Sequence, residues 1–310
     1  MKHLHVVAAV IRNSKGETLL SKRLPNTIYA GLWEFPGGKR ELNEPVFQTL
    51  KRELFEELGI EVTNARPLIH INHDYPDNKR IHLDIWQVEG WNGEPFGKEN
   101  QEIEWITNFS NLTFLEANYP ILKAVQLPST IAITPELNEN FWYELEKTLE
   151  TDIKIIQFRA HSLDKKIFCE YAEKILKIAQ PYRAKIVLNT DIELAEQLGS
   201  SAVHLNSQRL YDYDKRPVHK NIMLSVSCHN LEDIKQAHKI EADLILLAPI
   251  KKTLSHPEKK SMGWFKFAQL TEQSKIPIYA LGGMRKNDLS IAWAQGAQGI
   301  AAMRGLWQCR

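Results

Sequence analysis

From Ile131 onward the sequence alternates between short apolar runs and stretches of helical periodicity. The runs are Ile131–Thr134, Ile153–Phe158, Lys185–Leu188, Ala202–Leu205, Ile222–Val226, Leu244–Ala248, Pro277–Leu281 and Gly299–Ala302. Helical patterns fall between most of them, as at Asp164–Ala179, Leu231–Ile240 and Gly263–Gln273. A strand buried on both faces reads as a continuous apolar run, and joining it to a parallel neighbour takes a long crossover that a helix supplies. Right-handed crossovers repeated eight times close a barrel. The expected fold of this half is therefore a (β/α)8 TIM barrel, ranked above an open doubly wound sheet. Leu210–Asn221 is a weak fourth helix, and only eight residues follow the last run, so a full last helix is missing.

The pattern changes near Gln126-Leu127-Pro128-Ser129-Thr130, which sets the expected domains at 1–127 and 128–310. A chain of 310 residues is long enough for two. Before the break the signals are mixed α and β. His5 to Ile11 and Thr18 to Ser21 read as strands around the turn Asn13-Ser14-Lys15-Gly16. Pro45 to Leu58 reads as an amphipathic helix with proline at its favourable first position. Arg80 to Val88 alternates as a strand, with Ile81, Leu83 and Ile85 on one face and His82, Asp84 and Trp86 on the other.

Composition removes several classes of function. Thirty-nine Lys+Arg against thirty-eight Asp+Glu give a net charge of +1, which provides no polybasic wrap for nucleic acid. Cys169, Cys228 and Cys309 lack metal-ligand spacing, and their odd number makes no disulfide framework. The opening MKHLHVVAAVIRN has too short an apolar run for a signal peptide, and no run reaches the ~18 apolar residues of a membrane span. The expected setting is a reducing cytoplasm, with neither a membrane nor direct nucleic acid as partner.

The chemistry concentrates in Gly37-Gly38-Lys39-Arg40-Glu41-Leu42-Asn43-Glu44 and in the helix behind it, which carries Arg52, Glu53, Glu56 and Glu57. Glu53, Glu56 and Glu57 stand at i, i+3 and i+4, so the three carboxylates share a helical face. Taken alone, that is a solvated acidic face. The wider spacing favours a cation site: Gly38, Glu44 six residues on, Arg52-Glu53 eight further, then Glu56-Glu57 and Gly59-Ile60. Crowded carboxylates repel unless they share a cation. Hard oxygen ligands suit Mg²⁺ or Mn²⁺, ions that keep waters and share a substrate's phosphate oxygens. Arg52 can pair with one carboxylate and orient it, and the glycine pair permits a tight turn.

On these positions residues 1–127 resemble the Nudix hydrolases, and among them the MutT-type 8-oxo-dGTP diphosphatases. The runs Leu32-Trp33-Glu34-Phe35-Pro36, Gly93-Glu94-Pro95-Phe96-Gly97-Lys98-Glu99 and Ala117-Asn118-Tyr119-Pro120 extend the match. The resemblance implies an α/β/α sandwich around a mixed sheet, and cleavage of a nucleoside triphosphate into a monophosphate and pyrophosphate. It implies Glu53, Glu56, Glu57, Glu99 and the Gly37 carbonyl as metal ligands, with Glu53 or Glu99 activating the water. By the same resemblance Arg52 and Lys39 belong to the catalytic set, and Arg23 meets phosphate. Asn118 reads the purine edge and Phe35 walls the base pocket; their plainer readings are a turn asparagine and a core aromatic. The sequence departs from the pattern at Asn43 and Asn100, where glycine is usual, and at Ile28.

In a barrel of this kind, catalytic groups gather where strands end, and phosphate commonly binds after strands seven and eight. Those places hold Ala280-Leu281-Gly282-Gly283 and Met303-Arg304-Gly305, making Gly282, Gly283 and Arg304 candidates for an anion. This half resembles thiamine-phosphate synthase and its relative the thiazole tautomerase, through Gln157-Phe158-Arg159, Val203-His204-Leu205, Ser227-Cys228-His229, Pro249 to Thr253 and Ala280 to Met284. The resemblance implies, for the synthases, a magnesium-binding Asn-Asp pair after strand three and an acidic residue soon after Val-His-Leu; the matching segments here read Leu188-Asn189-Thr190 and Leu205-Asn206-Ser207-Gln208-Arg209, without a carboxylate. What survives is a phosphate pocket with His229 at the tautomerase's proton-transfer position, or alternatively a His229 that caps the following helix. His204 reads as a strand-end histidine with its ring satisfied, and His256 as a loop residue facing water. Cys228 and His229, as neighbours on a strand, point to opposite faces and make no nucleophile–base pair.

Three functions follow as expectations. The first is 8-oxo-dGTP hydrolysis protecting DNA replication, joined to a barrel that binds a phosphorylated small molecule. The second is hydrolysis of thiamine-pathway diphosphates. The third, open only for the second half, is a barrel that binds a metabolite to regulate its partner.

Overall fold

A computed structural model describes residues 2–75, 79–252 and 260–307. Backbone contacts divide the chain into two compact units, Met1–Gln126 and Leu127–Arg310. His256, Thr253 and Cys309 lie outside the described residues. Among the described residues no helix is long and apolar enough to cross a membrane.

The first unit runs β1 (Lys2–Ile11), β2 (Thr18–Lys22), β3 (Trp33–Glu34), β4 (Gly37–Lys39), α1 (Val46–Leu58), β5 (Glu61–Tyr75), β6 (Lys79–Asn92), β7 (Ile103–Ile106) and α2 (Tyr119–Val125). One sheet has the order β4-β1-β6-β5 and a smaller one the order β3-β2-β7. Strand β1 is parallel to β6 and antiparallel to β4, so the larger sheet is mixed. Strand alternation sorts β1 between two cores. Val7, Ala9 and Ile11 pack with Leu50, Leu54 and Leu58 of α1. Ala8 and Val10 join Ile121, Ala124 and Val125 of α2 in the other cluster. The result is an α/β/α sandwich. Helix α1 forms because its leucines recur every fourth residue and make one buried stripe. Pro45 is the extended residue just before the helix, not its first turn, and Gly59 ends it in a left-handed conformation with its N–H on the Phe55 carbonyl.

The second unit runs β8 (Thr130–Ile133), α3 (Phe141–Leu149), β9 (Ile155–Phe158), α4 (Lys165–Ala179), β10 (Lys185–Leu188), α5 (Ile192–Gln197), β11 (Ala202–Leu205), β12 (Met223–Cys228), α6 (Leu231–Lys239), β13 (Leu244–Leu247), α7 (Gly263–Thr271), β14 (Ile278–Leu281), α8 (Leu289–Ala294) and β15 (Gly299–Ala302). The eight strands close as a parallel barrel in sequence order, with β15 pairing β8. Alternate strand residues fill the interior, among them Ile131, Ile133, Ile155, Val187, Leu246 and Tyr279. Their neighbours, such as Ala132, Ile156 and Leu188, face the helices. Between β11 and β12 there is only a 3-10 turn, Arg209–Asp212, and among the described residues no helix follows β15. Both gaps match the weak patterns of the sequence.

His204 is wholly buried on β11. Its Nδ1 lies 2.9 Å from Ser225 Oγ and its Nε2 2.8 Å from Ser227 Oγ, so both ring nitrogens have partners. Burial pushes its pKa down to about 3 from 6.5. The unfolded chain therefore takes up this proton first as pH falls. The stability given by the neutral ring is complete above pH 6.5 and declines between there and pH 3, by ~1.4 kcal/mol per unit. Denaturant unfolding of the barrel from neutral to acid pH should show wild type losing stability more steeply than His204→Gln by this one-proton slope. Equal slopes would contradict it.

Candidate functional site

The first site begins where β4 lies against β1. Gly37 has φ +142°, and a Cβ there would stand 2.2 Å from the Val7 carbonyl oxygen. A Cβ on Gly38 would stand 2.1 Å from Glu53 Oε2. Gly37 thus lets β4 close onto β1, and Gly38 lets the Glu53 carboxylate rest directly on the backbone. Arg52 ties the rest together. Its Nε and Nη2 donate to the two oxygens of Glu44 at 3.0 and 2.9 Å, and its Nη1 donates to Glu53 Oε1 at 2.8 Å and Glu56 Oε2 at 3.2 Å. Nη2 also donates to the Lys39 carbonyl at 3.1 Å. The Arg52 fork holds the Glu44 carboxyl down to about 2. Burial pushes Glu53 up, partly offset by its bond from Arg52.

Glu57 turns to the other side of the same cradle, where the Gly37 N–H donates to its Oε2 at 3.0 Å. Burial, with help from Glu34, Glu53 and Glu99, pushes its carboxyl up to about 8 despite that bond. Glu57, Glu99, Glu34 and Arg23 line one cavity of about 180 Å³. The loop bearing Glu99 is fastened to the end of α1, because Gln101 Oε1 accepts from the Glu99 N–H and Gln101 Nε2 donates to the Glu57 carbonyl. Arg23 Nη1 donates to Glu34 Oε2 at 2.6 Å. Arg52 neutralises part of this half-buried carboxylate set; Glu57, raised chiefly by burial and then by its acidic neighbours, is outside its reach, and a divalent cation would supply the remaining counter-charge. The donors present are oxygens, so the set fits Mg²⁺.

Lys39 is exposed and contributes its carbonyl to Arg52. Phe35 is buried and stacks with Phe114 at 6.4 Å, inside the core beneath α2. Asn118 is buried just before α2, and its side chain does not cap that helix. Asn43 and Asn100 have φ +62° and +65°, so they adopt the left-handed turn that glycine otherwise supplies, and asparagine tolerates it better than most residues. Ile28 is exposed. Glu34 was not singled out from the sequence; its one signal was its place in the Trp33-Glu34-Phe35-Pro36 run.

The second unit carries a cavity of about 490 Å³ over the ends of its strands. Arg159, His161, Asn189, Asn206, Gln208 and His229 line it, and among the described lining residues none is a carboxylate. Gln157 Oε1 and Asn189 Oδ1 are buried there without a hydrogen-bond partner. A magnesium site needs anionic oxygens, so this lining does not fit that ion. Gly282 lines the cavity, and a Cβ on it would stand 2.9 Å from Pro249 Cα; a Cβ on Gly283 would stand 2.9 Å from Lys251 Cβ. Arg304 is exposed and outside the lining, where Met303 stands instead. Beside it, sharing His229, lies a second hollow with Lys260 and Lys266 on its wall. His229 Nδ1 lies 2.7 Å from the Ala248 carbonyl, a contact that puts the ring proton on Nδ1 and leaves Nε2 the basic nitrogen. The side chain that caps α6 is Asn230, accepting from the Asp233 N–H. Cys228 is buried, which pushes its thiol far above the usual range.

Comparison with known proteins follows the same division. The NUDIX domain matches residues 7–124, and the thiamine monophosphate synthase family matches residues 130–306. The chain belongs to the Nudix hydrolases through its first unit and to the thiamine monophosphate synthase family through its second. The 8-oxo-dGTP diphosphatase of Escherichia coli (strain K12) is 37% identical over 124 residues, covering 39% of this chain and 95% of that protein. The CTP pyrophosphohydrolase of the same organism is 38% identical over 126 residues, covering 40% and 92%. The "Putative thiamine-phosphate synthase 2" of Aquifex aeolicus (strain VF5) is 33% identical over 181 residues, covering 58% and 97%.

Gly38→Ala tests the close approach of Glu53. The clash is with the end of a flexible side chain, so the fold should survive while the carboxylate is displaced. The expected result is a fall in hydrolysis of ~10²-fold or more with the unfolding midpoint little changed. A normal rate would show that the position of Glu53 does not matter.

Proposed function

We propose that the first unit is a Mg²⁺-dependent nucleoside triphosphate pyrophosphohydrolase whose preferred substrate is 8-oxo-dGTP, acting in the cytoplasm to keep oxidised precursors out of replicating DNA. The observation that carries this reading is the carboxylate set fixed by Arg52 and opening on a cavity shared by Glu57, Glu99 and Arg23. Glu53, Glu56, Glu57, Glu99 and the Gly37 carbonyl would hold the metal, with Mn²⁺ an acceptable substitute. When bound, it neutralises phosphate oxygens and lowers the pKa of water. Glu53 is the proposed general base: burial raises its carboxyl, the direction a base needs near neutral pH. Water adds to phosphorus as its proton passes to that carboxylate, the P–O bond breaks, and nucleoside monophosphate and pyrophosphate leave. Arg23 and the exposed Lys39 meet phosphate charge. The uncapped amide of Asn118 can both donate to and accept from a purine edge, and Phe35 supports the pocket from the core.

The barrel, on this reading, binds a phosphorylated small molecule without magnesium and does not make thiamine phosphate. Arg159, with Lys260 and Lys266 in the adjoining hollow, supplies the cations; His161, whose pKa burial and Arg159 push down, offers a neutral ring; and His229 can move a proton through Nε2. A second reading, favoured by the family match of the barrel, makes the hydrolase act on thiamine-type diphosphates.

Turnover in Mg²⁺ of 8-oxo-dGTP, dGTP, CTP, thiamine diphosphate and hydroxymethylpyrimidine diphosphate separates these readings. The largest kcat/KM is expected for 8-oxo-dGTP, and a preference for the thiamine-type compounds would reverse the order. Glu53→Gln should lower kcat by ~10²–10⁴-fold without unfolding the chain, and more than Glu99→Gln does. The opposite ranking would move the base to Glu99.

A further inference from the structure

A second group of titratable side chains lies on β6, apart from the carboxylate helix. His82 and Asp84 stand two residues apart on that strand. The register sets His5 of β1 beside His82, and sets His70 and Asn72 of β5 beside Asp84 and His82. Strand alternation brings all five side chains to one face of the sheet. Asp84 is buried, with only 6% of its side chain exposed, whereas the imidazoles of His5, His70 and His82 keep 28%, 28% and 38%. His5 Nε2 lies 2.5 Å from Asp84 Oδ2, His82 Nε2 lies 3.4 Å from Oδ1, and His70 Nδ1 contacts Oδ1. One ligand atom from each of His5, His82 and Asp84 falls within 4.8 Å of the other two.

We propose that His5, His82 and Asp84, with His70 beside them, form a binding site for a borderline divalent metal ion of the Zn²⁺ class. Imidazole nitrogens with one carboxylate oxygen suit Zn²⁺ and are poor ligands for Mg²⁺, so the site would not compete for the ion of the carboxylate helix. Tetrahedral bonds of ~2.0–2.1 Å put ligand atoms about 3.3 Å apart, close to the His82–Asp84 separation. The hydrogen bonds point the same way. His82 Nδ1 lies 2.7 Å from Asn72 Oδ1, a contact that places the proton on Nδ1 and directs the lone pair of Nε2 toward the Asp84 carboxylate. That is the orientation an outer partner gives to a metal-binding histidine. A proton or a cation has to lie between two such acceptors. The exposed ring edges give an ion its way in from solvent.

Arg40 opposes binding. Its Nη1 lies 3.1 Å from His5 Nδ1. Coordination through His5 Nε2 moves the ring proton to Nδ1, so Arg40 must release that contact. Its Nε keeps the Glu44 carbonyl at 2.5 Å. The ion therefore displaces protons and one arginine contact, and His5 Nε2 must draw back from its 2.5 Å approach to Asp84 Oδ2.

The test is titration of the full-length protein with Zn²⁺ against a chromophoric chelator, in excess Mg²⁺ to occupy the carboxylate helix. Co²⁺ is used in parallel for the visible absorption of a tetrahedral site. One zinc per chain is expected, kept in Glu53→Gln and weakened by more than ~tenfold in His82→Gln and in Asp84→Asn, with a ~tenfold loss in Asn72→Ala. Arg40→Gln, which replaces an opposing cation with an acceptor for Nδ1–H, should strengthen binding. His82 is half-exposed, so His82→Gln stays informative even if Asp84→Asn fails to fold. No zinc in excess Mg²⁺, or zinc unaffected by His82→Gln, would overturn the proposal and leave the cluster a hydrogen-bonded support for a buried carboxylate.

Discussion

Arg52 is the contact on which the first unit's chemistry depends. Like charges packed along one helix drive a fold apart unless something of opposite sign holds them, and a single guanidinium does so for Glu44, Glu53 and Glu56 at once. Its planar fork sets the geometry as well as the charge: two nitrogens grip Glu44 while the third directs Glu53 toward the glycine turn. Lysine would bring the charge without the fork. Glu57 lies beyond that reach, and its carboxyl rises chiefly because it is buried, with its acidic neighbours adding to the effect.

The second unit solves a different problem with a rigid scaffold. Its strands are buried on both faces, so the barrel supports chemistry only at its rim. The cavity wall carries the amides of Asn189, Asn206 and Gln208 and, among its described residues, no carboxylate. Arg159 lines the hollow and pairs at 3.8 Å with the exposed Glu136, a long contact that a ligand's anion can replace, and the buried amide oxygens of Gln157 and Asn189 are left to accept from a ligand's N–H or O–H groups. The same framework is thereby suited to a phosphate ester held by side chains alone.

Elements whose physics is local were legible in the sequence. Barrel strands announced themselves as apolar runs because both their faces are covered, and α1 as a leucine stripe ending in glycine. Strands β3 and β4, of two and three residues, carry no periodicity; pairing with β2 and β1 creates them. The alternation of β6 was visible, but not that its polar face buries Asp84, because that depends on histidines from β1 and β5. Asn43 and Asn100 looked like departures by residue type, yet the backbone keeps the conformation that matters. Glu34 was hidden for the converse reason: its part in the site comes from Arg23 and Glu57, far from it along the chain. Arg304 shows the limit of position alone, since the turn after β15 carries its side chain away from the cavity that Met303 lines.

On the reading proposed above, the helix carboxylates grip divalent cations against a polyphosphate. Diffraction at the manganese edge tests it most directly, from crystals of the full chain grown with Mn²⁺ and a non-hydrolysable nucleoside triphosphate analogue. Anomalous density is expected between Glu53, Glu56 and Glu57 and the phosphates, with Arg52 still bridging Glu44 and Glu53. Density elsewhere, or carboxylates turned to solvent with no ion among them, would contradict it.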